Sequence, residues 1–406
     1  MNILFLVHRI PYPPNKGDKI RSWNELRHLA EKHTVHLGCL MDQPEDAQWI
    51  DSLRPVVSSL EVAPMDPRMA RLKSLRALVQ GGPLSVPYFR SERLQRWVNE
   101  TLEREKIDVI LLFSSPMADY VTGSALPIVM DFCDVDSDKW TQYSKKAPLP
   151  LRPLYALEGR RLAEYELEIL HRCSAAALVT EQEKEIWETL PRPLQDKVHV
   201  IPNGVDLEFF SPQALDPPPQ RRPHAMSFTG AMDYYANVDA VTWFANEVFP
   251  RIRAVYSDAE FTIVGSHPTA EVLELAKRDG IEVTGFVDDI REWYLRAALC
   301  VVPLRIARGI QNKVLEAMAM ARPVLATPSA FAGLGAEAST EIQVADGAEE
   351  FAAQTIRMLG DAPSSEDMGR AGRRFVERNY VWEGNMQRLE QLLLTASNEQ
   401  PVTVGS

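Results

Sequence analysis

Short apolar runs alternate along this chain with longer stretches whose apolar positions recur every three or four residues. The runs read as buried strands and the spaced stretches as amphipathic helices. In the first half the strand-like runs are Asn2–Val7, Thr34–Leu40, Leu60–Ala63, Val109–Phe113, Ile128–Phe132, Ala175–Thr180 and Val198–Ile201. Helical stretches lie at Lys19–Glu31, Arg68–Gln80, Glu92–Lys106, Leu154–Arg172 and Glu181–Leu190. The second half repeats the pattern. Its strands are Ala225–Phe228, Glu260–Val264, Glu282–Thr284, Leu299–Val302, Val324–Ala326 and Ile342–Val344. Its helices are Val238–Ala254, Ala270–Asp279, Ile290–Ala298, Ile310–Met320, Glu349–Leu359 and Ser365–Arg378, with a last one at Trp382–Leu394. Such alternation predicts an α/β protein built on mainly parallel sheets covered on both faces.

The Pro202–Asp206 turn and the proline-rich Pro212–Pro223 stretch break the pattern near the middle. They predict one domain over 1–205 and another over 206–380, then a helix over 381–396 and a disordered polar tail over 397–406. A length of 406 residues suits two domains of about 150–200 residues each. The net charge of -12 argues against a nucleic-acid partner. Cys39, Cys133, Cys173 and Cys300 are far apart and form no C-x-x-C pair, which suits a reducing compartment and gives no metal signature. The apolar run Ile3–Val7 is too short for a signal peptide, and no run approaches the ~20 residues of a membrane span. A cytoplasmic protein is expected.

Ligands of open parallel sheets bind at the carboxyl ends of strands, so the loops there are the places to look. The segment Arg308–Val324 follows such a strand. At about 100° per residue, Ile310, Val314, Ala317, Met318 and Ala321 form an apolar stripe, with Asn312, Lys313 and Glu316 roughly opposite. Gly309 lets an anion approach the free N–H groups of the first turn. Lys313 suits a phosphate oxygen and Glu316 a ribose. The plainer alternative is a polar face with an i, i+3 Lys–Glu pair worth a few tenths of a kcal/mol.

Three other loops carry candidate chemistry. After the first strand, Arg9, Lys16 and Lys19 make a basic loop suited to a phosphate or phosphorylated acceptor. Gly17 permits close backbone approach, and Asp18 is either the next helix's N-cap or a reactive carboxylate. After the fifth strand, Asp131, Asp134, Asp136 and Asp138 crowd together, and Asp134-Val135-Asp136 is a D-x-D triplet. They are a base, sugar-orienting groups or a cation site on one reading, and helix caps with solvated charge on the other. At the start of the second domain, Gly230 can turn amides toward a diphosphate, and Asn237 can cap the helix. Finally, residues 66–96 are locally basic, with Arg68, Arg71, Lys73, Arg76, Arg90, Arg93 and Arg96. Met69, Leu72, Leu75, Leu78 and Val79 interleave with the first four. They form either an ordinary surface helix or a peripheral contact with an anionic membrane.

Leu315-Glu316-Ala317-Met318-Ala319 followed by Arg322-Pro323-Val324, and Val200–Asp206 at the domain junction, resemble retaining glycosyltransferases of family 4. Thr284-Gly285-Phe286-Val287 and the final helix support the resemblance, which covers nearly the whole chain. Gly309–Glu316, Phe228-Thr229-Gly230 and Gly17-Asp18-Lys19 further resemble exopolysaccharide-associated sugar transferases of PEP-CTERM systems. The resemblance implies the GT-B fold: two Rossmann-like doubly wound domains facing across a cleft, with the last helix crossing back to the first domain. It implies transfer of a sugar from a nucleoside-diphosphate sugar to a glycan or polyprenyl-linked acceptor, with retention, without a metal or other cofactor. Lys313, Asp134, Asp18 and Arg308 fall at the reaction centre. Glu316, Asn312, Gly309, Ile310, Gly230, Phe286 and Val287 fall on the donor, and Arg9, Gly17, Asp131 and Asp136 on the acceptor. Attachment, if any, would be peripheral, at the inner face of the cell membrane.

The chain departs from the family at named places. The family's Glu-x7-Glu motif places its first Glu where Arg308 stands. Asn237 stands near a position that is often basic, Cys133-Asp134 replaces a common His-Asp pair, and Ala321 replaces a usual Gly. Lys313, with Arg308, then supplies the positive charge. Two other functions fit the same fold: a nucleotide-sugar 2-epimerase, and a non-catalytic nucleotide-sugar-binding partner.

Overall fold

The computed structural model describes residues 1–74, 77, 81–307 and 309–398. Contacts divide the chain into two units, Met1–Pro202 with Glu383–Ser406, and Asn203–Trp382. Among the described residues each unit is built on one sheet, and every recorded strand pairing is parallel.

In the first unit the strands are β1 (Asn2–Val7), β2 (Thr34–Met41), β3 (Ser59–Pro64), β4 (Val109–Phe113), β5 (Ile128–Cys133), β6 (Ala175–Leu178) and β7 (Val198–Val200), in the order β3-β2-β1-β4-β5-β6-β7. Ile3 pairs with Val35 on one side and Val109 on the other. Helices cover both faces, so Ile3 to Val7 are all fully buried, which is why that run is apolar without alternation. The second unit has β8 (Ala225–Thr229), β9 (Glu260–Val264), β10 (Ile281–Gly285), β11 (Leu299–Val302), β12 (Val324–Ala326) and β13 (Gln343–Val344), in the order β10-β9-β8-β11-β12-β13. Strand order reverses between β1 and β4 in one unit and between β8 and β11 in the other. Those two switch points open the crevices in which doubly wound sheets bind ligands.

Most expected elements differ from the structure only at their ends. The helix expected over Glu181–Leu190 stops at Glu185. A helix at Asp136–Lys146 forms within what reads as an acidic loop, because Asp136 and Asp138 in its first turn suit the helix dipole. The run expected as one helix over Val238–Ala254 is Tyr235–Trp243, a π-turn at Phe244–Val248, then Phe249–Arg253. Pro250 has no N–H for an ordinary helical bond, and the extra residue of the π-turn sits just before it.

The last helix runs over Trp382–Asn398 and belongs to the first unit from Glu383 onward. There Glu390 bonds His28 at 2.7 Å, Lys32 at 3.0 Å and His33 at 3.1 Å. Ser397 and Asn398, expected as the start of a tail, complete this helix; 399–406 lie outside the described residues. In the basic segment, the described helix is Pro67–Ser74, with Met69 and Leu72 exposed. Leu75, Arg76, Leu78 and Val79 lie outside the described residues, as does Arg308.

Candidate active site

The carboxyl ends of β8, β9, β10 and β11 are each followed or closed by a glycine with positive φ: Gly230, Gly265, Gly285 and Gly309. Two of these glycines have no alternative. A Cβ on Gly265 would lie 1.7 Å from the Gly230 carbonyl oxygen, and one on Gly230 would lie 2.7 Å from Asn237 Nδ2 and 3.1 Å from Lys313 Nζ. Backbone and a cation thus meet at the switch point of the second unit.

Lys313 is the second residue of the helix Asn312–Ala319, whose N-terminus follows Gly309 and Gln311. Its Nζ donates to Asn237 Oδ1 at 2.6 Å and sits 4.3 Å from the centre of the Phe228 ring. Asn237 does not cap its helix as expected. Tyr234 holds the cap position, and Asn237 Nδ2 instead donates to the Ala231 carbonyl at 2.9 Å. That bond fixes which way the amide points and so presents its oxygen to Lys313. Lys313 is only partly exposed, and burial pushes its ammonium down to about 7, with the Glu316 charge opposing. Further negative charge placed beside this ammonium would favour its protonated form.

Glu316 lies one turn further along the same helix. Tyr294 donates to its Oε2 at 2.7 Å, and Thr229 bonds the Tyr294 oxygen at 2.8 Å. Burial raises the Glu316 carboxyl, while the Tyr294 bond and Lys313 lower it. Asn312 Oδ1 is buried without a hydrogen-bond donor among the described residues, an acceptor suited to a ligand hydroxyl. Ile310 is buried in the core of the second unit, so its side chain serves packing and only its backbone is available to a donor. Phe286 is 75% exposed just past β10, and Val287 is partly exposed. The structure therefore gathers Gly230, Lys313, Asn237 and Glu316 at one place. Nothing in the sequence marks Tyr294, which reads there as one more residue of a short amphipathic helix.

The strand-end loops of the first unit differ more from expectation. Asp18 is no N-cap: Lys16 holds that position. Asp18 lies in the first turn, 3.3 Å from His8 Nε2 and paired with Arg9. Burial works against its charge, but the His8 hydrogen bond and the Arg9 charge win and hold the carboxyl well below the ordinary range. Arg9 also bonds Asp42 through Nε at 3.1 Å and Nη2 at 3.0 Å, so its charge is already matched. Lys19, expected to add to a basic loop, is buried against Asp46 at 2.7 Å. Lys16 is partly exposed with no ion-pair partner among the described residues, beside the exposed Gly17.

Asp131, expected to touch the acceptor, is fully buried. Its Oδ2 takes Arg21 Nε, and Arg21 Nη1 donates to the Ile201 carbonyl at 2.8 Å. The carboxylate is spent holding the end of β5 to the first helix. Glu25 lies 3.3 Å from the same guanidinium, with its carboxyl pushed well up by burial and by Asp131. Asp134 and Asp136 keep partial exposure at the N-terminus of the helix Asp136–Lys146. Burial is the main cause of a raised Asp134 carboxyl, with Lys139 opposing and Asp136 adding to it. The amides at that helix start are already taken: Val135 N–H donates to Glu183 at 2.6 Å and Ser137 N–H to Glu166 at 3.0 Å. Among the described residues no three His, Cys, Asp or Glu side chains gather to hold a metal ion.

Residues 223–361 match the family model described as Glycosyl transferases group 1. A search among curated proteins gives no match. Among solved structures, the sucrose-phosphate synthase from Thermosynechococcus elongatus is similar over 97% of this chain and 98% of its own, at 16% identity and a TM-score of 0.72. Alr3699/HepE from Anabaena, in complex with UDP and glucose, is similar over 97% and 100%, at 14% identity and 0.66. WaaG, a glycosyltransferase involved in lipopolysaccharide biosynthesis, is similar over 96% and 99%, at 13% identity and 0.63. At these identities the likeness speaks for the fold. That fold is GT-B, with two Rossmann-like units on parallel sheets.

Proposed function

We propose that this protein is a retaining glycosyltransferase that moves a sugar from a nucleoside-diphosphate sugar to a glycan or lipid-linked acceptor in exopolysaccharide or cell-surface polysaccharide synthesis. The observation that carries the reading is the placement of Lys313 Nζ against Gly230 and Asn237, with Glu316 one turn away. A diphosphate at the switch point meets a cation, a glycine turn that leaves it room and a helix N-terminus, and the ribose meets a carboxylate. The match of residues 223–361 to group 1 glycosyltransferases covers this site, and a similar structure that binds UDP and glucose supports a nucleotide sugar as donor.

In this reading the bond between the anomeric carbon and the diphosphate oxygen breaks as the acceptor hydroxyl attacks from the same face, and the hydroxyl proton passes to the departing diphosphate oxygen. Negative charge builds on the leaving diphosphate. Lys313 and the N-terminus of the helix Asn312–Ala319 are fixed in advance where that charge appears, which is the most effective kind of electrostatic catalysis. In the first unit, Gly17, Asp134 and Asp136 are the proposed acceptor contacts; Arg9 and Asp18 hold that loop in shape rather than react. The basic helix Pro67–Ser74, with Met69 and Leu72 exposed beside Arg68, Arg71 and Lys73, is proposed as a peripheral contact with an anionic membrane. Among the described residues no helix is long and apolar enough to cross a membrane.

A thermal-shift screen against UDP-, GDP- and ADP-sugars identifies the donor; a ligand at a hundred times its Kd stabilises by ~2.7 kcal/mol. Lys313→Ala is expected to lower turnover of that donor by about a hundredfold to a thousandfold with an unchanged circular dichroism spectrum. Unchanged turnover removes Lys313 from the site. A new sugar formed from donor alone, seen by NMR, would make the protein an epimerase instead.

A further inference from the structure

We infer that Thr229 and Tyr294 form a positioning relay that aims the Glu316 carboxylate at the ribose hydroxyls of the donor. The inference rests on the donor-site reading above. Tyr294 stands on the short helix Arg291–Arg296, with its side chain 1% exposed. Its hydroxyl is 2.7 Å from Glu316 Oε2 and 2.8 Å from Thr229 Oγ1.

The directions of these bonds follow from counting protons. An ionised carboxylate only accepts, so the single phenol proton goes to Glu316. The phenol oxygen is then left to accept from the Thr229 hydroxyl. The chain reads Thr229 O–H to Tyr294 O–H to Glu316 Oε2, and one carboxylate oxygen is used up. No donor to Oε1 is recorded among the described residues, and Glu316 remains partly exposed. One oxygen is clamped and the other is presented.

The clamp has a second effect. Burial pushes the Glu316 carboxyl up, and the bond from Tyr294 is the first influence holding it down. The relay therefore keeps the group ionised and fixes its rotamer together. It also ties two parts of the donor site. Thr229 is the last residue of β8 and precedes Gly230, the residue against which Lys313 packs. A shift of the diphosphate loop is thus transmitted to the ribose carboxylate through two hydrogen bonds.

The test is calorimetric binding of UDP, GDP or ADP, whichever of the three the shift screen selects, and of its 2′,3′-dideoxy analogue. Proteins compared are wild type, Tyr294→Phe, Thr229→Val and Glu316→Gln. Tyr294→Phe removes one oxygen atom and keeps the ring. It is expected to weaken the ribonucleotide by about tenfold and to leave the dideoxy analogue unchanged. It is also expected to move the acid limb of the affinity profile to higher pH. Thr229→Val, the milder change, is expected to act in the same direction with smaller size, and it carries the test if Tyr294→Phe does not fold. Equal losses for the ribo and dideoxy ligands, or an unmoved pH profile, would overturn the relay and leave Tyr294 a packing residue. If Glu316→Gln binds the ribonucleotide as wild type does, the ribose role of Glu316 itself is wrong. If Glu316→Gln weakens binding and both relay variants do not, only the relay fails.

Discussion

At the scale of single residues, Lys313 shows how burial sets up binding. Its ammonium is pushed down to about 7, so near neutral pH it is protonated only about half the time. A bound diphosphate favours the charged form and raises that value. Affinity is therefore expected to level off below about pH 6 and to fall as pH rises through 7, and donor binding at pH 8 takes up nearly one proton. Calorimetry of nucleoside diphosphate in two buffers of different ionisation enthalpy measures this directly. The apparent heats should differ for wild type and agree for Lys313→Met. Agreement in both proteins would show that Lys313 is not the titrating group. The pairing of Lys313 with Glu316 on one helix face was legible because spacing along a helix is a local property. The surroundings of Asp18 were not, because His8 and Arg9 reach it from the end of β1, and Arg9 is shared with Asp42 just past β2. The same holds for Asp131: nothing near it in the chain announces that Arg21 lies against it.

At the scale of elements, alternation located nearly every strand, since a parallel strand buried on both faces must be apolar throughout. The π-turn at Phe244–Val248 escaped because one extra residue barely disturbs a helical pattern. In the sequence Ala321 is only a departure from glycine, and the structure explains why glycine is usual. Ala321 N–H bonds the Met318 carbonyl and Arg322 N–H the Ala317 carbonyl, both at 2.9 Å, which closes the donor helix in a Schellman motif. That motif needs a left-handed residue, and Ala321 has φ 52. An L-residue there costs about 1–2 kcal/mol. Ala321→Gly should relieve most of it, against a smaller loss from a more flexible unfolded chain. The expected result is a rise in Tm of about 2–4 °C for each kcal/mol gained, with donor affinity unchanged. A lowered Tm would mean that the Ala321 methyl is worth more in packing than its backbone costs.

At the scale of the whole molecule, the acidic net charge of -12 conceals carboxyls that titrate in opposite senses. Glu390 joins the last helix to the first. Burial opposes its charge, but Lys32, His28 and His33 hold its carboxyl down at about 2. A depressed carboxyl adds stability that is complete above the unfolded value near ~4.3 and is lost as pH falls toward 2. Glu166 and Glu183 behave in reverse. Burial lifts them to about 8 and about 7, against the hydrogen bonds from Ser137 and Val135. Below the unfolded value both states are protonated and nothing is lost. As pH climbs from ~4.3 to 8 the unfolded chain releases those protons first, so stability falls across that range. The first unit should therefore be most stable near pH 5 and should lose Tm steadily between pH 6 and 8. Glu166→Gln removes the titration and keeps a group that Ser137 can bond. Scanning calorimetry from pH 5 to 9 should show a flatter profile for the variant, with the largest gain over wild type at pH 8. Parallel profiles for the two proteins would mean that Glu166 is already ionised in the fold, held by the helix start that it caps.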